Sequence, residues 1–111
     1  MVGVPPIARS AELEAFANEG ARQDAASRSP HGHFSSENGG GIAWAENEIP
    51  WWDGGPGDVR RVVREGLEAM WSEGPGGGHY ENMKGDYGLL GCGIYAGNGE
   101  ITVVQDFGDR R

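Results

Sequence analysis

Glu73 and His79 are the two residues whose spacing most suggests chemistry. They flank a tract of one proline and four glycines in MWSEGPGGGHY, residues 70–80. A carboxylate and an imidazole held together can act as a general base pair or as ligands to a cation. On a helix running over about 59–73, at roughly 100° per residue, Glu73 falls about 60° from Met70 and about 20° from Gly66. That arithmetic places its carboxylate on the buried side, at the helix end facing the loop to His79. A second group is His31-Gly32-His33. In an extended segment both imidazoles project to one side, and neutral imidazoles with carboxylates are the donor set of zinc. Cys92 is the only cysteine, which excludes an intrachain disulfide and a thiolate cage. Its place between Leu90 and Ile94 reads as a small buried hydrophobe. The tract before His79 lacks the lysine of a phosphate loop, so nucleotide binding is set aside.

The elements that must position these groups follow from periodicity. Residues 1–9 read as an extended leading segment, since Pro5-Pro6 excludes helix. Ser10 is a good N-cap, Glu12 and Glu14 suit a first turn, and Leu13, Phe16, Ala17, Gly20 and Ala21 keep helical spacing. The first helix is therefore expected over 11–27, stopped by Ser29-Pro30. The tract from Ser35 to Gly41 reads as loop, Ile42–Trp44 as a short strand, and Glu48–Asp58 as irregular. Trp44, Trp51 and Trp52 are expected to pack over a core edge. Asp58 is expected to cap a helix over 59–73 whose stripe is Val59, Val62, Val63, Leu67, Met70 and Trp71. A short helical turn is expected around Tyr80–Met83.

Leu89 to Tyr95 then alternates glycine with bulk. Gly91 and Gly93 share a face on which another element must pack closely. Gly97-Asn98-Gly99 predicts a hairpin turn, and Ile101–Phe107 a return strand with Val103 and Val104 covered on opposite faces. The fold class is α+β, a small antiparallel sheet between helices.

Length and charge bound the function. At 111 residues the chain is one domain, 1–111, and its formal charge of −8 argues against nucleic acid or a polybasic membrane contact. No stretch reaches the length of a transmembrane segment. The opening MVGVPPIARS lacks a signal-peptide pattern, which leaves a cytoplasmic location or a removed leader.

The segments MWSEGPGGGHYENM and GLLGCGIYAGNGEITVVQDFG, with IAW at 42–44 and GVPPIARSAELEAFANEGA near the start, resemble the CAP superfamily. This family includes cysteine-rich secretory and pathogenesis-related proteins, and the bacterial SCP-like branch is the nearest in pattern. The resemblance implies an α-β-α sandwich with a cleft lined by two histidines and two glutamates, which in several members holds a divalent cation through the histidines. His79 corresponds to the histidine of the family's Gly-His-Tyr motif and Glu73 to its Trp-x-Glu glutamate. His31 is the choice for the first histidine, with His33 close behind. Alignment on IAW puts Gly40-Gly41 where the family has Glu-Asn. Glu37, Glu46 or Glu48 would then supply the second glutamate, and Glu46 is favoured. The family's first helix and its disulfide cysteines have no counterpart here. Secretion is implied by the resemblance.

Two functions follow as expectations. The first is a binding module whose cleft holds a divalent cation, zinc by donor type, through His31 and His79, with Glu73 and Glu46 beside it. Its ligand would be a small molecule, a lipid or a protein. The second is a metal-dependent hydrolase of peptidase type, with Glu73 as general base and His79 assisting.

Overall fold

The computed structural model describes residues 8–85 and 87–110. The extended reading of residues 1–7 lies outside them. A two-residue strand β1 (Ala8–Arg9) leads into α1 (Ala11–Ser27), α2 (Gly32–Ser36), a 3-10 turn (Asn38–Gly41) and β2 (Ala45–Asp53). A second 3-10 turn (Pro56–Asp58), α3 (Val59–Trp71), α4 (Gly78–Lys84), β3 (Tyr87–Gly97) and β4 (Glu100–Arg110) follow. The fold is α+β, as the periodicity implied. The sheet order is β1-β3-β4-β2, antiparallel except that β1 runs parallel to β3. The sheet is therefore mixed rather than purely antiparallel.

Alternation along β4 divides the core. Val103 and Ile101 face α3, where they meet Ile49, Val62 and Met70. Val104 faces the other way and packs with Ala17 and Ala21 of α1. Helices thus cover both faces of the sheet. On the α1 side the approach is backbone to backbone. A Cβ at Gly91 would overlap the main chain of Leu13 and Glu14, and one at Gly93 the main chain of Ala17 and Asn18. The alternating glycines therefore do what their spacing implied. The hairpin between β3 and β4 turns on Asn98 and Gly99, both left-handed (φ 55° and 75°), as a two-residue loop between twisted strands requires.

Several expectations change. The Ser35–Gly41 tract is not loop throughout, because α2 and the 3-10 turn occupy much of it. His31 precedes α2 in a left-handed conformation and His33 lies inside that helix, so the two imidazoles do not share a side as in a strand. The strand expected at 42–44 begins instead at Ala45 and runs through the stretch read as irregular. Pro50 is tolerated there because β2 is an edge strand whose register shifts between Ile49 and Trp52. Asp58 stands at the N-cap position of α3 as expected, but its side chain makes no capping bond; its carboxylate accepts from the Gly55 N–H at 2.9 Å instead. Trp44 and Trp52 are exposed rather than packed into an edge, while Arg28 lies over Trp51. Cys92 is exposed as well. Leu90, Cys92 and Ile94 point to the α3 side, but the core under α3 takes in Ala96 of β3 and leaves Cys92 and Ile94 open; Ile94 is 40 % exposed.

Candidate metal centre

Strand β2 sets the site. Its even residues share a face with Val104, through the pairs Glu48–Val104 and Glu46–Asp106. Val104 packs on α1, so Glu46 and Glu48 project beneath α1 and α2, where both are buried. The turn out of α1 brings His31 over them. Its Nδ1 lies 2.7 Å from Glu46 Oε2 and 3.9 Å from Glu48 Oε1, and its main-chain N–H donates to Glu48 Oε1 at 2.6 Å. The imidazole is 40 % exposed while the two carboxylates are almost wholly covered. Among the described residues, His31, Glu46 and Glu48 are the one group of three or more candidate ligands whose donor atoms all lie within 4.8 Å of one another. One nitrogen and two carboxylates in that span can hold a metal ion.

Two further buried acids support this group. Asp24 of α1 accepts the His33 N–H at 2.9 Å, which pins the segment carrying His31. Its other oxygen, one oxygen of Glu48 and both of Asp106 find no ordinary donor among the described residues. These acids face one another instead, Glu48 against Asp24 and Asp106 against Glu46. Two carboxyls can hydrogen-bond only by sharing a proton. Burial pushes Glu46 up to about 7. Burial, then the hydrogen bond with Asp24, pushes Glu48 up to about 9. Burial, then the hydrogen bond with Glu46, pushes Asp106 up to about 10. Protons therefore occupy at neutral pH what a cation would otherwise neutralise. Orphaned oxygens, closely set donors and proton-loaded carboxyls all fit a divalent ion.

Glu73 and His79 meet as their spacing suggested, but elsewhere. Helix α3 ends at Trp71, so Glu73 leaves the helical arithmetic and is exposed rather than on the buried side. Its two oxygens take the His79 main-chain N–H at 3.1 Å and face Nδ1 at 2.7 Å. The hydrogen bond with His79 holds the Glu73 carboxyl below its ordinary range. The pair is tied to the opposite face of β2, since Asn47 donates to the His79 carbonyl at 3.2 Å and Asn47 points away from Glu46 and Glu48. Asn82 of α4 donates to the Glu46 carbonyl at 3.2 Å. The molecule thus holds two histidine–carboxylate pairs about one edge strand, and His79 and Glu73 are not members of the His31 group.

Of the remaining candidates, Glu37 is exposed at the end of α2. His33 is buried with its ring 4.5 Å from Phe16 and Nδ1 unpartnered. Sequence reasoning missed Asp24 and Asp106. Asp24 was detectable, for it extends the spacing 13, 17, 20, 21 by one more step and so lies on the buried stripe of α1. Asp106 follows Val104 by two in a strand and shares its face. No protein-family model and no curated protein matches the chain.

Proposed function

We propose that the chain is a binding module of CAP type that holds a divalent cation, zinc by donor chemistry, on His31, Glu46 and Glu48. A small molecule, lipid or protein partner would dock beside it. The observation that carries the reading is the convergence of those three donors within 4.8 Å on two buried carboxylates, with an oxygen of Glu48 left without a partner. The His31–Glu46 pair also favours Ala45-Glu46-Asn47 as the counterpart of the family's Gly-Glu-Asn, in place of the alignment on residues 42–44. The His79–Glu73 pair keeps the correspondence implied by the resemblance, as a second polar pair across the strand. Secretion and the bacterial branch belong to the same resemblance. The hydrolase reading gains less, because Glu73 pairs with His79 away from the cation group and its lowered pKa makes it a weaker base.

Zinc titration by calorimetry tests this. Wild type should bind one equivalent, His31→Ala and Glu48→Gln should lose binding, and His79→Ala should retain it. Loss in His79→Ala equal to that in His31→Ala would move the ion between the two histidines. Absence of binding in the wild type would refute the cation reading.

A further inference from the structure

Trp44 is 63 % exposed, the most exposed of the large apolar side chains among the described residues. Its backbone is nonetheless fixed, because its main-chain N–H donates to the Phe107 carbonyl at 2.7 Å in line with the sheet. An indole carried into water on an ordered backbone adds little to the fold, whereas indoles serve well as contact surfaces for ligands. Beside it lies a recess of about 550 Å³ lined by Phe34, Ser35, Asn38, Gly41, Ala43 and Trp44. That volume falls within the roughly 300–1,000 Å³ of small-molecule sites.

The recess is built by a backbone that few sequences can follow. Asn38, Gly39, Gly40 and Gly41 are consecutively left-handed, with φ of 51°, 69°, 62° and 75°. This arc carries the chain from α2 to β2 and sets Phe34 and Trp44 as two walls. A Cβ at Gly40 would fall 2.6 Å from the Phe16 ring, so the arc is also held from beneath. Runs of left-handed backbone are costly outside glycine and concentrate where a site requires them.

The lining chooses the ligand class. Among the described residues it contains no charged side chain, so an ionic ligand finds no counter-charge there. It offers two aromatic walls together with an exposed hydroxyl at Ser35 and an exposed amide at Asn38, which both donate and accept. A neutral molecule with one apolar face and a rim of hydroxyls matches that set. We propose that this recess binds a sugar ring, its C–H face stacked on Trp44 and its hydroxyls bonded to Asn38 and Ser35. None of the cation donors lines the recess, so the proposal stands independently of the metal reading.

Saturation-transfer NMR tests it, run in EDTA with methyl glucoside, galactose and N-acetylglucosamine, and with benzylamine as a charged aromatic comparison. At least one sugar should give saturable transfer to its ring C–H protons. The signal should vanish in Trp44→Ala and require at least tenfold more sugar in Asn38→Ala. Trp44 is mostly exposed, and amide spectra establish whether its variant keeps the fold; should it not, Asn38→Ala and Ser35→Ala carry the comparison. Transfer to none of the sugars, unchanged transfer in the variants, or transfer to benzylamine alone would overturn the proposal.

Discussion

If a cation sits on His31, Glu46 and Glu48, its affinity must depend steeply on pH, and the slope can be worked from the site. Both carboxyls must lose their protons to act as ligands. With Glu46 at about 7, its ionised fraction rises about tenfold between about pH 6 and about pH 8. With Glu48 at about 9, the corresponding rise is nearly a hundredfold. Together the association constant should increase by about a thousandfold over that interval. At about pH 7, Glu48 is almost fully protonated and Glu46 about half, so loading the site should release about 1.5 protons.

Calorimetry in two buffers of different ionisation enthalpy reads that number directly, since released protons are taken up by the buffer. Glu48→Gln removes the group that carries the larger part of the slope. Its residual binding, if measurable, should release about one proton fewer. A pH-independent affinity with no buffer dependence would refute the reasoning at its base. It would mean either that the cation does not displace these protons or that the carboxyls are already ionised.

The packing and the titration of the unloaded protein give two further expectations. Gly93→Ala places a carbon against the main chain of Ala17 and Asn18, which cannot rotate away. It should cost about 3 kcal/mol in denaturant unfolding, the upper end of overpacking. Gly57→Ala, with nothing within 4 Å of the added carbon, should be near neutral; equal effects would refute the close-packed reading. Asp106, raised from 3.8 to about 10, stabilises the fold fully at pH values below its ordinary pKa, and that stabilisation is lost as pH rises toward the folded value. Melting temperature in EDTA should therefore fall from about pH 5 to about pH 9 and fall less steeply in Asp106→Asn. A flat profile in the wild type would count against a buried protonated acid.

The parts of this fold that were legible in sequence are those decided by local geometry. Ser10 does cap α1, its hydroxyl accepting the Leu13 N–H at 3.2 Å, and Gly91 and Gly93 do mark the close approach of a helix. What periodicity could not supply was the extent of each regular element. The 59–73 stripe extends two residues past Trp71, where the helix ends, and so assigns Glu73 to a face it does not occupy. Apolar strand neighbours suggest a buried face for Cys92, yet burial depends on how far along β3 the core under α3 extends; it takes in Ala96 but leaves Cys92 and Ile94 exposed. The pairing of His31 with Glu46 and Glu48 spans fifteen or more positions. It depends on the left-handed turn at His31, which no pattern in Ser-Pro-His-Gly-His announces.

The chemistry and the architecture of the α1 face share one physical cause. Glycines at 91 and 93 let α1 lie against the sheet, and that close layer seals Asp24, Glu46, Glu48 and Asp106 away from water. Sealed carboxyls must be neutralised. Here the means available are the two shared protons, the His31 imidazole and, on the reading proposed, a divalent ion. The site is therefore a place where the fold is unfinished on its own terms, since proton uptake or cation binding by these carboxyls is also a gain in the stability of the sheet–helix contact. Cation and protons then compete for the same oxygens. Loading the site should raise the melting temperature most at about pH 8, where protons neutralise the cluster least, and least at about pH 5, where they neutralise it already. A cation whose stabilising effect grew as the pH fell would separate the two functions and leave the buried acids without a role in binding.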